Sequence, residues 1–264
     1  MGCCSKSNFK SGLKSMRKLV TIALICVLAA VACVSGYKIF QIMSEYRAGE
    51  ATYDDLKKYS ATTATEEKKQ DAKPQKPTID FDKLSEINSD VVAWIKLDDS
   101  VIDYPVAQCD DNDYYLKHLF NKQLNSSGSI FLDCRNSPDF TDRNSVIYGH
   151  HMKNGSMFSA ITKYKEQSFF DEHPVFKLYT PEASFEIEVF CGYVADVKDS
   201  AWNIDFADDA DFESWLDEQL QKSLFKSKVK PTANDNIVTL STCSYEFDNA
   251  KFVVFGVINK TESK

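Results

Sequence analysis

The chain has 264 residues, 43% of them hydrophobic and 27% charged, which suffices for one sizeable globular domain with appendages. A formal net charge of -8 and an isoelectric point near 5.1 exclude the basic groove that nucleic acid requires, so no nucleic-acid partner is expected. The eight cysteines include no CxxC and no His/Cys spacing of the zinc type. Neither a metal site, a cofactor nor an obligatory disulfide is therefore expected.

Residues 1–18 carry Lys6, Lys10, Lys14, Arg17 and Lys18 and no acidic side chain. Leu19 to Tyr37 follows, nineteen residues whose polar side chains, cysteines aside, are Thr21, Ser35 and Tyr37. A helix of about 20 apolar residues crosses a bilayer, so 19–40 is read as a transmembrane signal anchor and 1–18 as a basic cytoplasmic tail. The cation excess on the amino-terminal side places that end inside and the rest of the chain outside. A cleaved signal peptide is the alternative, since Ala30-Val31-Ala32 is an A-x-A pattern. The apolar run continues past that point, which favours the uncleaved anchor. Residues 41–78 then divide into a juxtamembrane helix, Ser44 to Tyr59, and a linker rich in Thr, Lys, Glu and Pro from Ala61 to Pro77.

A globular domain is expected over 79–264. It opens with a short helix near Asp80 to Ile87, for which Asp80 or Asp82 is a suitable amino-terminal cap. Short β-like runs follow at Val91 to Leu97, Tyr104 to Ala107, Ser129 to Leu132, Ser145 to Tyr148, Val175 to Tyr179, Phe185 to Val194, Asn236 to Leu240 and Phe252 to Asn259. Periodicity alone leaves an all-β barrel and a sandwich open. Two insertions carry apolar residues at helical spacing: Ser156 to Phe170, through Met157, Phe158, Ile161 and Tyr164, and Asp208 to Phe225, through Phe212, Trp215, Leu216, Leu220 and Leu224. Cys191 alternates with its neighbours as a packed strand residue does. A bridge between Cys109 and Cys134 has no support in the sequence.

The chemistry concentrates at two strand ends. Ile237-Val238-Thr239-Leu240 runs through Ser241-Thr242 to Cys243, where strand gives way to loop, so a thiol there is held on one side and reachable on the other. Asn144 to Tyr148 is a second short strand, stopped by Gly149 and followed by His150 and His151. Cysteine and histidine far apart in sequence, each at a strand end, can meet as a thiolate and imidazolium pair. His118 and His173 lie in polar surroundings and are read as solvated or capping residues.

These blocks, TLSTC closing one strand, YGHH closing another and a basic residue opening the next, resemble the sortases, cysteine transpeptidases of Gram-positive surfaces, and most closely class B. The similarity runs from about Ile79 to Lys260 and includes Asp90 to Ile95, Ile102 to Val106, Asp111 to Leu116 and Gly128 to Asp133. The resemblance implies a mainly β fold, a closed eight-stranded sortase-type barrel with helical insertions. It implies Cys243 as nucleophile and His150 as acid/base, with His151 the less favoured neighbour, and a long connection before Cys243 that walls a peptide groove. It also implies the partners: surface proteins bearing C-terminal sorting signals, cleaved after Thr, and a cell-wall peptide amine as acceptor. Ser241 and Thr242, beside the nucleophile, are candidate substrate-binding residues or stabilisers of the local backbone. One position departs from the pattern. The family's third catalytic residue is an arginine at the start of the strand after the cysteine, and here that position is Lys251. Lysine retains the charge and loses the planar fork, which leaves a working but altered site, a slow enzyme or an inactive relative that only binds peptide. A cysteine hydrolase that releases rather than attaches peptides is a separate alternative to the transpeptidase. Arg135 and Arg143 are the arginines nearest in sequence that a loop could bring in.

Overall fold

The computed structural model describes residues 5–60 and 79–261. Two compact units are distinguished, Met1–Arg47 and Ala48–Lys264.

The first unit is occupied by helix α1 (Ser5–Leu56), which continues into the second. Its apolar run is long enough to cross a membrane, and Leu19, Leu24, Leu28, Val31 and Phe40 are all exposed. Side chains of this kind, packed against no protein, are what a lipid-facing helix presents.

In the second unit, eight strands close into a barrel. They are β1 (Val91–Lys96), β2 (Asp103–Ala107), β3 (Ile130–Leu132), β4 (Asn144–Tyr148), β5 (Val175–Tyr179), β6 (Ser184–Ala195), β7 (Ile237–Cys243) and β8 (Lys251–Lys260). Their order around the barrel is β1-β2-β3-β4-β7-β8-β6-β5, with β5 returning to β1. Closure settles the choice between barrel and sandwich, and it leaves no unpaired sheet edge. Two neighbouring pairs, β2 with β3 and β4 with β7, are parallel. The others are antiparallel.

Helix α2 (Phe81–Ile87) is capped as expected, the Asp80 side chain accepting from the Lys83 amide at 3.0 Å. The insertion after β4 differs from the expected helix. Residues Phe158–Lys165 form a 3-10 helix, and a separate short α3 (Gln167–Glu172) follows. The buried Phe158, Ile161 and Tyr164 recur every third residue, the period of a 3-10 turn, and the apolar spacing serves that geometry equally well. Helix α4 (Asp209–Lys222) packs Phe212, Trp215 and Leu216 into a cluster with Phe190, Tyr193 and Phe255 of the barrel wall. The helix stops before Leu224, which is exposed. Gln219 takes a buried place instead, receiving the Tyr193 hydroxyl at 2.6 Å and donating to Ser200 Oγ at 3.0 Å. Cys191 is buried in β6, its thiol 3.0 Å from the Gln219 carbonyl.

The compact unit begins at Ala48, earlier than the expected start at 79. The reason is apolar: Tyr53 and Leu56, at the end of α1, are buried at 4% and 2% exposure. The stretch read as a juxtamembrane helix is therefore helical and also part of the barrel's packing. The linker expected over 61–77 lies outside the described residues.

Candidate active site

Strand register brings three distant residues to one rim of the barrel. β4 and β7 run parallel with Tyr148 opposite Ser241, so both strands end on the same side. The pairing extends one step further, because the Gly149 amide donates to the Ser241 carbonyl at 3.1 Å and the Thr242 hydroxyl donates to the Gly149 carbonyl at 2.7 Å. His150 and Cys243 are the next residues on each strand. β8 is antiparallel to β7 with Lys251 directly opposite Cys243. Gly149 is required at this junction: a Cβ there would lie 2.4 Å from Ile130 Cδ1 and 2.7 Å from the Phe158 ring.

The Lys251 ammonium donates to Cys243 Sγ at 3.1 Å. His150 Nε2 lies 2.7 Å from the Leu116 carbonyl. A carbonyl only accepts, so that nitrogen carries a proton and Nδ1 is left to engage the thiol. Hydrogen bonding to His150 lowers the Cys243 thiol to about 7, against a burial cost and with help from the bond and charge of Lys251. The His150 imidazole is raised in turn, first by its bond to Cys243, with burial opposing and the Leu116 carbonyl adding to the rise. Both shifts favour thiolate beside imidazolium, the state in which sulfur is nucleophilic and the ring has a proton to give.

A half-open cleft of about 320 Å³ contains these groups. Leu116, Phe131, Val197 and Trp202 supply apolar wall, and Asn112, Tyr148, Ser241 and Thr242 supply polar atoms. Val197 and Trp202 belong to the connection between β6 and β7, which walls the cleft as the family resemblance implied. The two hydroxyls beside the nucleophile already have protein partners: Ser241 Oγ receives Trp202 Nε1 at 3.1 Å, and Thr242 holds Gly149. His151 stands beside the pair, its Nδ1 3.1 Å from the Cys243 carbonyl. His118 is bonded to the Tyr114 carbonyl at 2.7 Å, and His173 caps α3.

Neither arginine reaches the sulfur. Arg135 makes a two-pronged pair with buried Asp133, at 2.9 and 2.8 Å. Burial alone would raise the Asp133 carboxyl, but bonds from Arg135, Asn112 and Tyr148 together hold it at about 2. Arg143 is paired with Asp209 and bonded to the Ala233 carbonyl. Lys251 is the cation in contact with the thiol. Among the described residues no group of three or more His, Cys, Asp and Glu is arranged to hold a metal ion, and Cys109 and Cys134 are free thiols.

The geometry can be compared with known proteins. A sortase-domain family model matches residues 95–259. The chain is 36% identical to sortase B of Listeria monocytogenes over 233 residues, 87% of this chain and 92% of that protein. It belongs to the sortase B family. Sortase B of Staphylococcus aureus is 33% identical over 247 residues, 93% of this chain and 98% of the relative. The solved Staphylococcus aureus sortase B-substrate complex superposes with a TM-score of 0.73 at 32% identity, covering 83% of this chain and all of that one. The family is one of transpeptidases acting on surface proteins.

The thiol of this sortase gives a direct check on the electrostatics. Alkylation of Cys243 by iodoacetamide, followed on its tryptic peptide by mass spectrometry, is expected to rise with pH about a midpoint near 7. Buried Cys191, pushed up to about 12 by burial, stays unmodified over the same range. A Cys243 midpoint at the ordinary thiol value would show that the pairing with His150 does not operate.

Proposed function

We propose that this chain is a membrane-anchored cysteine transpeptidase that cleaves a C-terminal sorting signal after Thr and joins the surface protein to a cell-wall amine through a thioacyl intermediate on Cys243. The observation that carries the reading is a thiol within 3.1 Å of Lys251, lowered by His150, at the edge of a cleft. The Cys243 thiolate attacks the carbonyl carbon of the scissile peptide, and the carbonyl oxygen becomes an oxyanion. Lys251 moves from sulfur to that oxygen, since forming the S–C bond removes the sulfur's charge. As the C–N bond breaks, the His150 imidazolium protonates the departing amine. The acceptor amine then attacks the thioester, His150 takes its surplus proton, and the C–S bond breaks to regenerate the thiolate. Ser241 and Thr242 contribute by shaping the cleft floor, their hydroxyls holding Trp202 and the Gly149 turn.

The domain plan follows the same reading: a cytoplasmic tail over 1–18, a membrane anchor over 19–40 and a catalytic domain outside the cell. The cation cluster before the anchor and the exposed apolar face of α1 support it.

Incubating the full chain in detergent with peptides bearing LPxTG-, NPxTN- and SPxTG-like motifs tests the chemistry. The intact mass should gain the acyl part of one peptide, cut after Thr. Adding an oligoglycine or a diamino-acid wall peptide should then discharge the adduct as a new amide. Release as free acid at an unchanged rate would make the chain a hydrolase, and absence of any adduct would leave it a binding module.

A further inference from the structure

His150 is fixed by contacts that come from outside its own strand. The Leu116 carbonyl holds Nε2. Gly128 holds the carbon edge of the ring: its φ is +57°, and a Cβ there would lie 2.9 Å from His150 Cδ2 and 2.6 Å from the Tyr115 carbonyl. Only glycine permits so close an approach in that conformation. The Gly128 carbonyl is in turn an acceptor for the Tyr53 hydroxyl at 2.5 Å, which also lies 3.1 Å from Ser129 Oγ. Tyr53 belongs to the last turns of α1, is 4% exposed, and stacks edge-on against Tyr104 at 5.2 Å.

The same part of the helix touches the loop that follows the histidine. The Asn154 amide donates to Glu50 at 2.7 Å, and the Met157 amide donates to the Tyr104 hydroxyl at 3.1 Å. The Phe158 amide closes the arrangement by donating to the His150 carbonyl at 2.9 Å. One loop meets the imidazole and the other the His150 carbonyl, and both are braced from α1. The titratable groups acting on the ring are Cys243 and Lys251. Tyr115 and His118, on the segment that carries Leu116, are bonded elsewhere, to Asp90 and to the Tyr114 carbonyl, and Glu50 faces Asn154.

We propose that Tyr53 is a positioning residue for His150, acting through the Gly128 carbonyl, so that the helix leaving the membrane anchor helps set the acid/base of the acyl-transfer site. The inference rests on the reading of His150 given above. A hydroxyl that fixes a carbonyl fixes the peptide unit, and with it the Gly128 Cα, whose open Cβ position lies against the imidazole edge. Without it, Gly128 can rotate and the ring gains freedom to leave the thiol. Misplacement by a fraction of an ångström is enough to weaken both proton transfer and thiolate stabilisation.

The test uses the full chain in detergent micelles and Tyr53→Phe, which keeps the ring and its packing and removes the hydroxyl. The Cys243 alkylation midpoint should rise by about half a unit to one unit, slowing alkylation at pH 7 by roughly threefold. kcat on a sorting peptide should fall by about tenfold with KM unchanged. Leu56→Ala, which removes apolar burial from the same turn and no bond to Gly128, should lower Tm and leave the midpoint in place. An unmoved midpoint and kcat in Tyr53→Phe overturn the inference. So does an equal shift in Leu56→Ala, since the effect would then be structural alone. His150→Ala separates the two levels. If it moves the midpoint and kcat while Tyr53→Phe does not, the positioning role fails and the site reading survives. If His150→Ala leaves both at the starting values, the site reading itself fails and takes the inference with it.

Discussion

Replacing Cys243 by alanine should abolish both the acyl adduct and turnover, a loss of at least about 10³-fold, while leaving peptide binding measurable. The size of the effect follows from the absence of a substitute: the nearby hydroxyls of Ser241 and Thr242 are buried and bonded to protein partners. The remaining cleft still offers its apolar wall, so binding of a sorting peptide, read by fluorescence of Trp202, should persist within a few-fold. Retained turnover in Cys243→Ala would place the nucleophile elsewhere and remove the basis of the transpeptidase reading.

Neutralising Lys251 should be the next most costly change. Lys251→Met keeps length and apolar stem but removes the charge, and a loss of about 10² to 10³ in kcat is expected, the usual consequence of deleting one oxyanion donor. The pH profile should move as well. Lys251 lowers the Cys243 thiol and also disfavours protonation of His150. Its removal therefore raises both groups, and both the acid limb, where thiolate is lost, and the alkaline limb, where imidazolium is lost, should shift to higher pH. Lys251→Arg preserves the charge at the register position opposite Cys243 and should stay within about tenfold of the starting rate. A Lys251→Met enzyme with an unaltered rate and profile would show that the cation is a bystander.

Much of this arrangement was legible in the sequence, because the signals were local. Runs such as Phe252 to Ile258 are dense in β-branched and aromatic residues and admit little besides strand. The ends of β4 and β7 were marked by Gly149 and by the polar turn after Cys243. What the sequence hid was of two kinds. The Leu116 and Gly128 carbonyls, which hold His150 and receive Tyr53, are backbone atoms and carry no residue signature. The partnership of Trp202 with Ser241, and the inclusion of Tyr53 and Leu56 in the barrel's packing, depend on contacts between segments far apart in the chain. Spacing also misled where two helix types share it, as in the three-residue recurrence of Phe158, Ile161 and Tyr164.

The parallel pairing of β4 with β7 has a kinetic side. Tyr148 meets Ser241 only after the whole intervening chain, including β5, β6 and α4, has been threaded back across the barrel. Contacts of such long sequence separation carry a loop-closure cost that must be met before the pairing rewards it, which slows folding. Until they form, Cys243 lacks His150, whose bond lowers the thiol most, and keeps chemistry closer to that of an ordinary thiol. Full reactivity of the thiol thus arrives together with the completed barrel.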